Sequence, residues 1–109
     1  MALIAPSLLA ADFARLGEAL EIIKAAGASM AHIDVMDGHL VPEITVGQPV
    51  VASLRRATDL VLDVHLLIDR PERFVAEFVE AGADRVSVHP EATPDLDRAL
   101  SIIDRKSVV

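Results

Sequence analysis

Three short stretches of this chain are built alike. His32-Ile33-Asp34, Asp63-Val64-His65 and His89-Pro90-Glu91 each set two ionisable side chains two residues apart, with an apolar residue between them. Residues i and i+2 of a strand project to the same face. His32 and Asp34 therefore stand side by side, while Ile33 and Val35 turn the other way. A sheet carrying three such pairs is poorly suited to burial on both faces, because six ionisable groups would be desolvated under a second layer of helices. The pattern predicts an α/β chain whose helices cover only the aliphatic face. The polar face is then free for chemistry at the C-terminal ends of the strands, which favours a (β/α) barrel over an open doubly wound sheet.

Periodicity gives the elements. A short strand is predicted over 3–7. A helix capped by Asp12 or a neighbour follows to about residue 26, with Phe13, Leu16, Leu20 and Ile23 at helical spacing, and Gly27 closes it. A second strand spans 30–35, and a long irregular stretch covers 36–48. Pro49 opens a second helix to about residue 56. A third strand covers 60–66, a third helix runs from Pro71 to its stop at Gly82, a fourth strand covers 85–89 and a fourth helix 94–103. Ala26-Gly27-Ala28 and Ala81-Gly82-Ala83 echo one another, and Asp34 and His89 stand at equal offsets from the two glycines. Four strand-helix units are the expectation, with right-handed crossovers. Ser107-Val108-Val109 reads either as the beginning of a fifth strand or as an out-of-register tail.

Composition narrows the function classes. The 109 residues suit one domain, and the chain is 52% hydrophobic but only 3% aromatic, so aliphatic side chains must build the core. A net charge of -7 argues against nucleic acid or an anionic membrane as partner. The absence of cysteine excludes disulfides and thiolate metal sites. Residues 1–11 are apolar but lack a basic leading region, and Pro6-Ser7 interrupts them, so they read as strand and loop rather than as a signal peptide. A cytoplasmic protein is expected.

From the residues alone, His32-x-Asp34 reads equally as a pair of metal ligands or as a hydrogen-bonded pair fixing a loop. His65 alone reads more simply as a satisfied histidine. Asp63, His89 and Glu91 are candidates for ordering ligands from behind, and structural pairing explains them as well. Asp37-Gly38 is a turn, and the Arg55-Arg56 pair reads as a solvated helix end. The stretch 36–48 is long for a connection in an α/β protein, which favours a functional cover.

Taken together, Ile4-Ala5-Pro6-Ser7-Leu8-Leu9-Ala10-Ala11-Asp12-Phe13, His32-Ile33-Asp34-Val35-Met36-Asp37-Gly38-His39-Leu40-Val41-Pro42 and Asp63-Val64-His65-Leu66 resemble the ribulose-phosphate 3-epimerase family over nearly the whole chain. The resemblance implies a (β/α)8 TIM barrel of the ribulose-phosphate-binding type, of which residues 1–109 form a single partial domain, four βα units truncated after the fourth helix. It implies His32, Asp34 and His65 as ligands of one divalent metal ion (Zn, Fe, Mn or Co), with Asp34 also one of two acid/base carboxylates. It implies Ser7, His65 and Met36 as substrate-binding residues. The second carboxylate, which is also the fourth ligand, and the glycine-rich phosphate loops belong to the other half of the barrel. Leu67 stands where that family commonly has a pocket methionine, and Glu43 where asparagine is common.

The implied activity is interconversion of D-ribulose 5-phosphate and D-xylulose 5-phosphate through an enediolate. The resemblance implies a small sugar phosphate as partner, and homo-oligomers are expected, two copies closing an eight-stranded ring through open edges. Two other readings stay open at this point: a non-catalytic half-barrel, and an epimerase of a six-carbon ketose phosphate such as allulose 6-phosphate.

Overall fold

The computed structural model describes residues 4–106. Three parallel strands, β1 (Met30–Met36), β2 (Val61–Leu67) and β3 (Arg85–Val88), lie in the order β1-β2-β3. Four helices alternate with them: α1 (Leu16–Ala25), α2 (Gln48–Ala57), α3 (Val75–Ala81) and α4 (Leu96–Lys106). No helix among the described residues is long and apolar enough to cross a membrane.

The two faces of the sheet differ as the alternation predicts. Ala31, Ile33 and Val35 of β1, Leu62, Val64 and Leu66 of β2, and Val86 of β3 are buried in one core. The same core contains Leu20 of α1, Val51 and Leu54 of α2, Val75 and Phe78 of α3, and Ala99 and Ile103 of α4. All four helices thus pack on the aliphatic face. The opposite face presents His32 and Asp34, Asp63 and His65, and Arg85 and Ser87, which are half-buried or exposed. An open doubly wound sheet would have helices on both faces; among the described residues the helices all pack on one.

The expected first strand over 3–7 shrinks to a single parallel bridge between Ser7 and His32, with His32 N–H donating to Pro6 O at 2.8 Å. Pro6 has no N–H to extend a ladder. The chain then turns at Ser7 into a 3₁₀ turn (Leu8–Ala10), where the Ser7 hydroxyl accepts from Leu9 N–H. Leu3, at the start of that expectation, and Ser107-Val108-Val109 lie outside the described residues. Asp12 caps a 3₁₀ turn (Phe13–Arg15), which delays α1 to Leu16. Pro71 likewise opens a 3₁₀ turn before α3. Asp95 accepts the N–H of Arg98 as a capping residue does, so the last helix begins beyond Pro94 rather than at it.

Arg55 requires a correction. The expectation of a solvated helix end holds for exposed Arg56 but fails for Arg55, whose guanidinium is a hub. Its Nη1 donates to Asp84 Oδ2 (2.7 Å) and Gly82 O (3.3 Å), and its Nη2 to Thr58 O and Leu60 O (2.7 Å each). Asp84 Oδ2 also accepts from Leu62 N–H (2.9 Å). One side chain thus ties the end of α2, the entry to β2 and the turn before β3. Gly82 makes room for it: a Cβ there would lie 2.5 Å from Arg55 Cγ, and its φ of +125° disfavours any side chain.

Arg55→Met keeps the stem and removes the fork, taking a donor from three carbonyls and the ion-pair partner from Asp84. It is expected to lower stability by about 2–3 kcal/mol, read as a fall in the urea midpoint. An unchanged midpoint would show that water replaces the guanidinium at no loss.

Candidate metal centre

Strand register builds the site. In the parallel β1–β2 pair His32 lies opposite Asp63, and Asp34 opposite His65. Asp34 Oδ1 consequently sits 3.1 Å from His32 Nε2 and 3.1 Å from His65 Nδ1. The other oxygen, Oδ2, accepts the Ser7 hydroxyl at 2.9 Å. Ser7 reaches it because the single bridge to His32 holds that segment beside β1. Ser7 therefore does two things: it satisfies a backbone N–H and it donates to Asp34.

One ligand atom from each of His32, Asp34 and His65 lies within 4.8 Å of the others, close enough for one cation to reach all three with modest side-chain rotation. The donor set suits such a cation. Asp63 Oδ2 lies 2.9 Å from His32 Nδ1. An ionised carboxylate only accepts, which assigns the N–H of a neutral His32 ring to Nδ1 and leaves a lone pair on Nε2. That lone pair faces Asp34 Oδ1, another acceptor. Two acceptors 3.1 Å apart need a positive centre between them, either a proton or a metal ion.

The ionisation of these groups follows. Partial burial works against charge on His32, but the neighbouring Asp63 and Asp34 carboxylates outweigh it and hold its pKa above the ordinary value. Burial likewise opposes ionisation of Asp34, yet the Ser7 hydroxyl and the two imidazoles hold its carboxyl below the ordinary carboxylate range.

Loops clamp the strand ends. Thr45 Oγ1 donates to Asp34 O (2.7 Å) and accepts from Met36 N–H (3.0 Å). The long stretch between β1 and α2 thereby folds back onto the backbone that carries Asp34. Sequence reasoning passed over Thr45, since a threonine in a long loop carries no signal of its partner. Asp37 is more than a turn residue: its carboxylate accepts N–H groups of His39 and Leu40, and that of Asp69 beyond β2 at 2.8 Å. Slight burial opposes ionisation there, and these three donors lower its pKa. Met36 shares the strand parity of His32 and Asp34, at the end of that row. His89 follows β3 and touches His65, and Glu91 touches His89. His39 lies exposed in the loop, outside the cluster.

A parallel α/β sheet with helices on one face, and a His-Asp-His cluster on the other, defines a βα-repeat protein with a candidate metal centre. The chain belongs to the ribulose-phosphate 3-epimerase family, whose model matches residues 3–108. The ribulose-phosphate 3-epimerase of Bacillus subtilis is 50% identical over 105 residues, covering 96% of this chain and 48% of that protein. That of Chlamydia muridarum is 51% identical over 106 residues, covering 97% of this chain and 46% of that protein. The chloroplastic ribulose-5-phosphate-3-epimerase of Arabidopsis thaliana is 54% identical over 89 residues, 32% of its length. The chain spans about half the length of these bacterial relatives.

NMR titration of the metal-free protein is expected to place His32 above the ordinary histidine value of about 6.5, and Asp63→Asn or Asp34→Asn to lower it. Because the folded pKa exceeds the unfolded one, the stability contributed by His32 is full below about pH 6.5 and is lost as pH rises through the folded value. A titration at or below the ordinary value would contradict the assignment.

Proposed function

We propose that this chain is part of a metal-assisted ribulose-phosphate 3-epimerase, interconverting D-ribulose 5-phosphate and D-xylulose 5-phosphate in the cytoplasm. The observation that carries the reading is Asp34: a carboxylate at the meeting point of two imidazoles and a serine hydroxyl, on the open face of a parallel sheet, in a chain of this family. In this reading residues 1–109 are one partial (β/α)8-barrel domain of four βα units, the first strand being the segment bridged at Ser7.

His32, Asp34 and His65 would hold one divalent ion (Zn, Fe, Mn or Co). When bound, such an ion supplies the Lewis acidity that offsets negative charge developing on the enediolate oxygens. The remaining work falls to the chain. Inversion at the carbon beside a ketone needs its proton removed on one face and returned on the other. Asp34 Oδ2, the oxygen turned away from the imidazoles, moves the proton on one face. Ser7, by donating to that oxygen, orients it. His65 and Met36 complete the substrate contacts on this side. The opposite face calls for a second carboxylate, which the family resemblance puts in the half of the barrel beyond these strands.

Turnover of ribulose 5-phosphate with each added metal tests the reading, and Asp34→Asn is expected to lower it by roughly 10²–10⁴-fold. One observation favours a second reading, a non-catalytic half-barrel: Asp34 is the single carboxylate in the described cluster. A folded, metal-loaded sample without turnover would establish that reading for the isolated chain. Faster turnover of allulose 6-phosphate would move the substrate to a six-carbon ketose. Among the described residues β3 pairs on one side only, with β2. Association through such edges is expected, and sedimentation of a well-folded monomer at micromolar concentration would exclude a ring closed by two copies.

A further inference from the structure

The outer edge of β1 is completed by a side chain instead of a strand. Val61 N–H donates to Ser29 O, so the odd-numbered residues of β1 turn their N–H and C=O toward β2. The even-numbered ones face the other edge, where His32 N–H donates to Pro6 O. The chain leaves that edge after Ser7, turning into the 3₁₀ turn Leu8–Ala10. Beyond the bridge, the backbone groups of Asp34 and Met36 face no strand among the described residues. Thr45 meets three of these four groups: its hydroxyl donates to Asp34 O (2.7 Å) and accepts from Met36 N–H (3.0 Å), and its own N–H donates to Met36 O (3.1 Å). A hydroxyl donates and accepts through one atom, so it spans a C=O and an N–H on one edge as a neighbouring strand would.

We propose that Thr45 is a positioning residue for Asp34, its hydroxyl fixing the main chain from which the carboxylate projects. The contacts of Ser7, His32 and His65 act on the carboxylate itself, whereas that of Thr45 acts on the carbonyl beneath it. Between the carbonyl and Oδ2 lie the torsions ψ, χ1 and χ2, and with both ends tied these have one setting. Releasing the carbonyl frees the peptide plane after Asp34, and the side chain swings with it. Thr45 is itself held in place. It is half-buried and follows Ile44, which forms an antiparallel bridge with Asp37, and the Asp37 carboxylate accepts Asp69 N–H at 2.8 Å. The tie therefore rests on the loops after both β1 and β2. Under Proposed function Oδ2 is the oxygen that moves the proton. On that reading, a loosened Asp34 slows the chemical step and leaves substrate affinity alone.

Thr45→Val keeps the shape and removes the hydroxyl, and Thr45→Ser keeps the hydroxyl. In NMR of the metal-free chain at one fixed pH, Met36 N–H is expected to exchange roughly tenfold faster in Thr45→Val, as loss of one ordinary hydrogen bond gives. The Hα–Hβ couplings of Asp34 are expected to report one rotamer in the unmodified chain and averaged rotamers in Thr45→Val, with Thr45→Ser restoring both signals. A merely structural role would speed exchange throughout the sheet and leave the Asp34 couplings unchanged. Comparing Thr45→Ser with Thr45→Ala isolates the same hydroxyl should the valine variant not fold. A single Asp34 rotamer in Thr45→Val, or averaged couplings in the unmodified chain, overturns the proposal. For turnover of ribulose 5-phosphate, kcat is expected to fall about tenfold in Thr45→Val with KM unchanged, and to recover in Thr45→Ser. A higher KM at unchanged kcat overturns the catalytic consequence. Absence of turnover in the unmodified chain counts against the reading under Proposed function instead, and the Asp34 couplings still decide the role of Thr45.

Discussion

The parallel register of β1 on β2 is the constraint on which the rest depends. It sets His32 opposite Asp63 and Asp34 opposite His65, and in the same stroke stacks Ile33 beside Val64 and Val35 beside Leu66. Side chains alternate with a period of two, so a one-residue rotation of either strand would send its ionisable groups under the helices and its aliphatic groups into water. Burying unpaired carboxylates and imidazoles is costly, and so is exposing the aliphatic row. Core and site therefore specify one another: the hydrophobic layer keeps the polar groups on the open face, and the polar groups forbid the alternative register.

Precision at the strand ends comes from the loops. Thr45 holds the backbone of Asp34 and Met36 from one side, and Asp37 joins the loops after β1 and β2 through the N–H of Asp69. A matching clamp joins the loops after β2 and β3. Thr93 Oγ1 lies 2.8 and 2.9 Å from the two oxygens of buried Glu72, and Arg70 N–H donates to Ala92 O at 2.9 Å. At the opposite ends of the strands Arg55 does comparable work. The cluster thus rides on rigid elements tied at both ends, the condition for holding polar side chains at fixed separation.

Much of this was legible in the chain of residues. The alternation of strand and helix, the glycines that end α1 and α3, and the parity of His32 and Asp34 followed from local pattern. Gly27 and Gly82 do adopt positive φ. The departures have local causes: Pro6 stops a ladder, side-chain caps at Asp12 and Asp95 shift helix starts, and a 3₁₀ turn takes the first residues after Pro71. Contacts between distant segments were not legible. Arg55 reads as a surface charge until Gly82, Asp84 and Leu60 are brought around it. The pairing of His32 with Asp63, or of His65 with His89, needs the register, which a single strand does not contain.

By itself the sequence determined which residues share a face, because strand parity is a property of the backbone alone. It also determined, through the joint pattern of its motifs, the family to which the chain belongs. Only the tertiary structure decided which polar groups meet across strands. Hydrogen-bond distances between His32 and Asp63, or along the line from Asp34 to Glu91, are outcomes of packing over some thirty intervening residues. That packing turns a row of half-buried side chains into a cluster in which a ring nitrogen of His32 and one of His65 meet at one oxygen of Asp34.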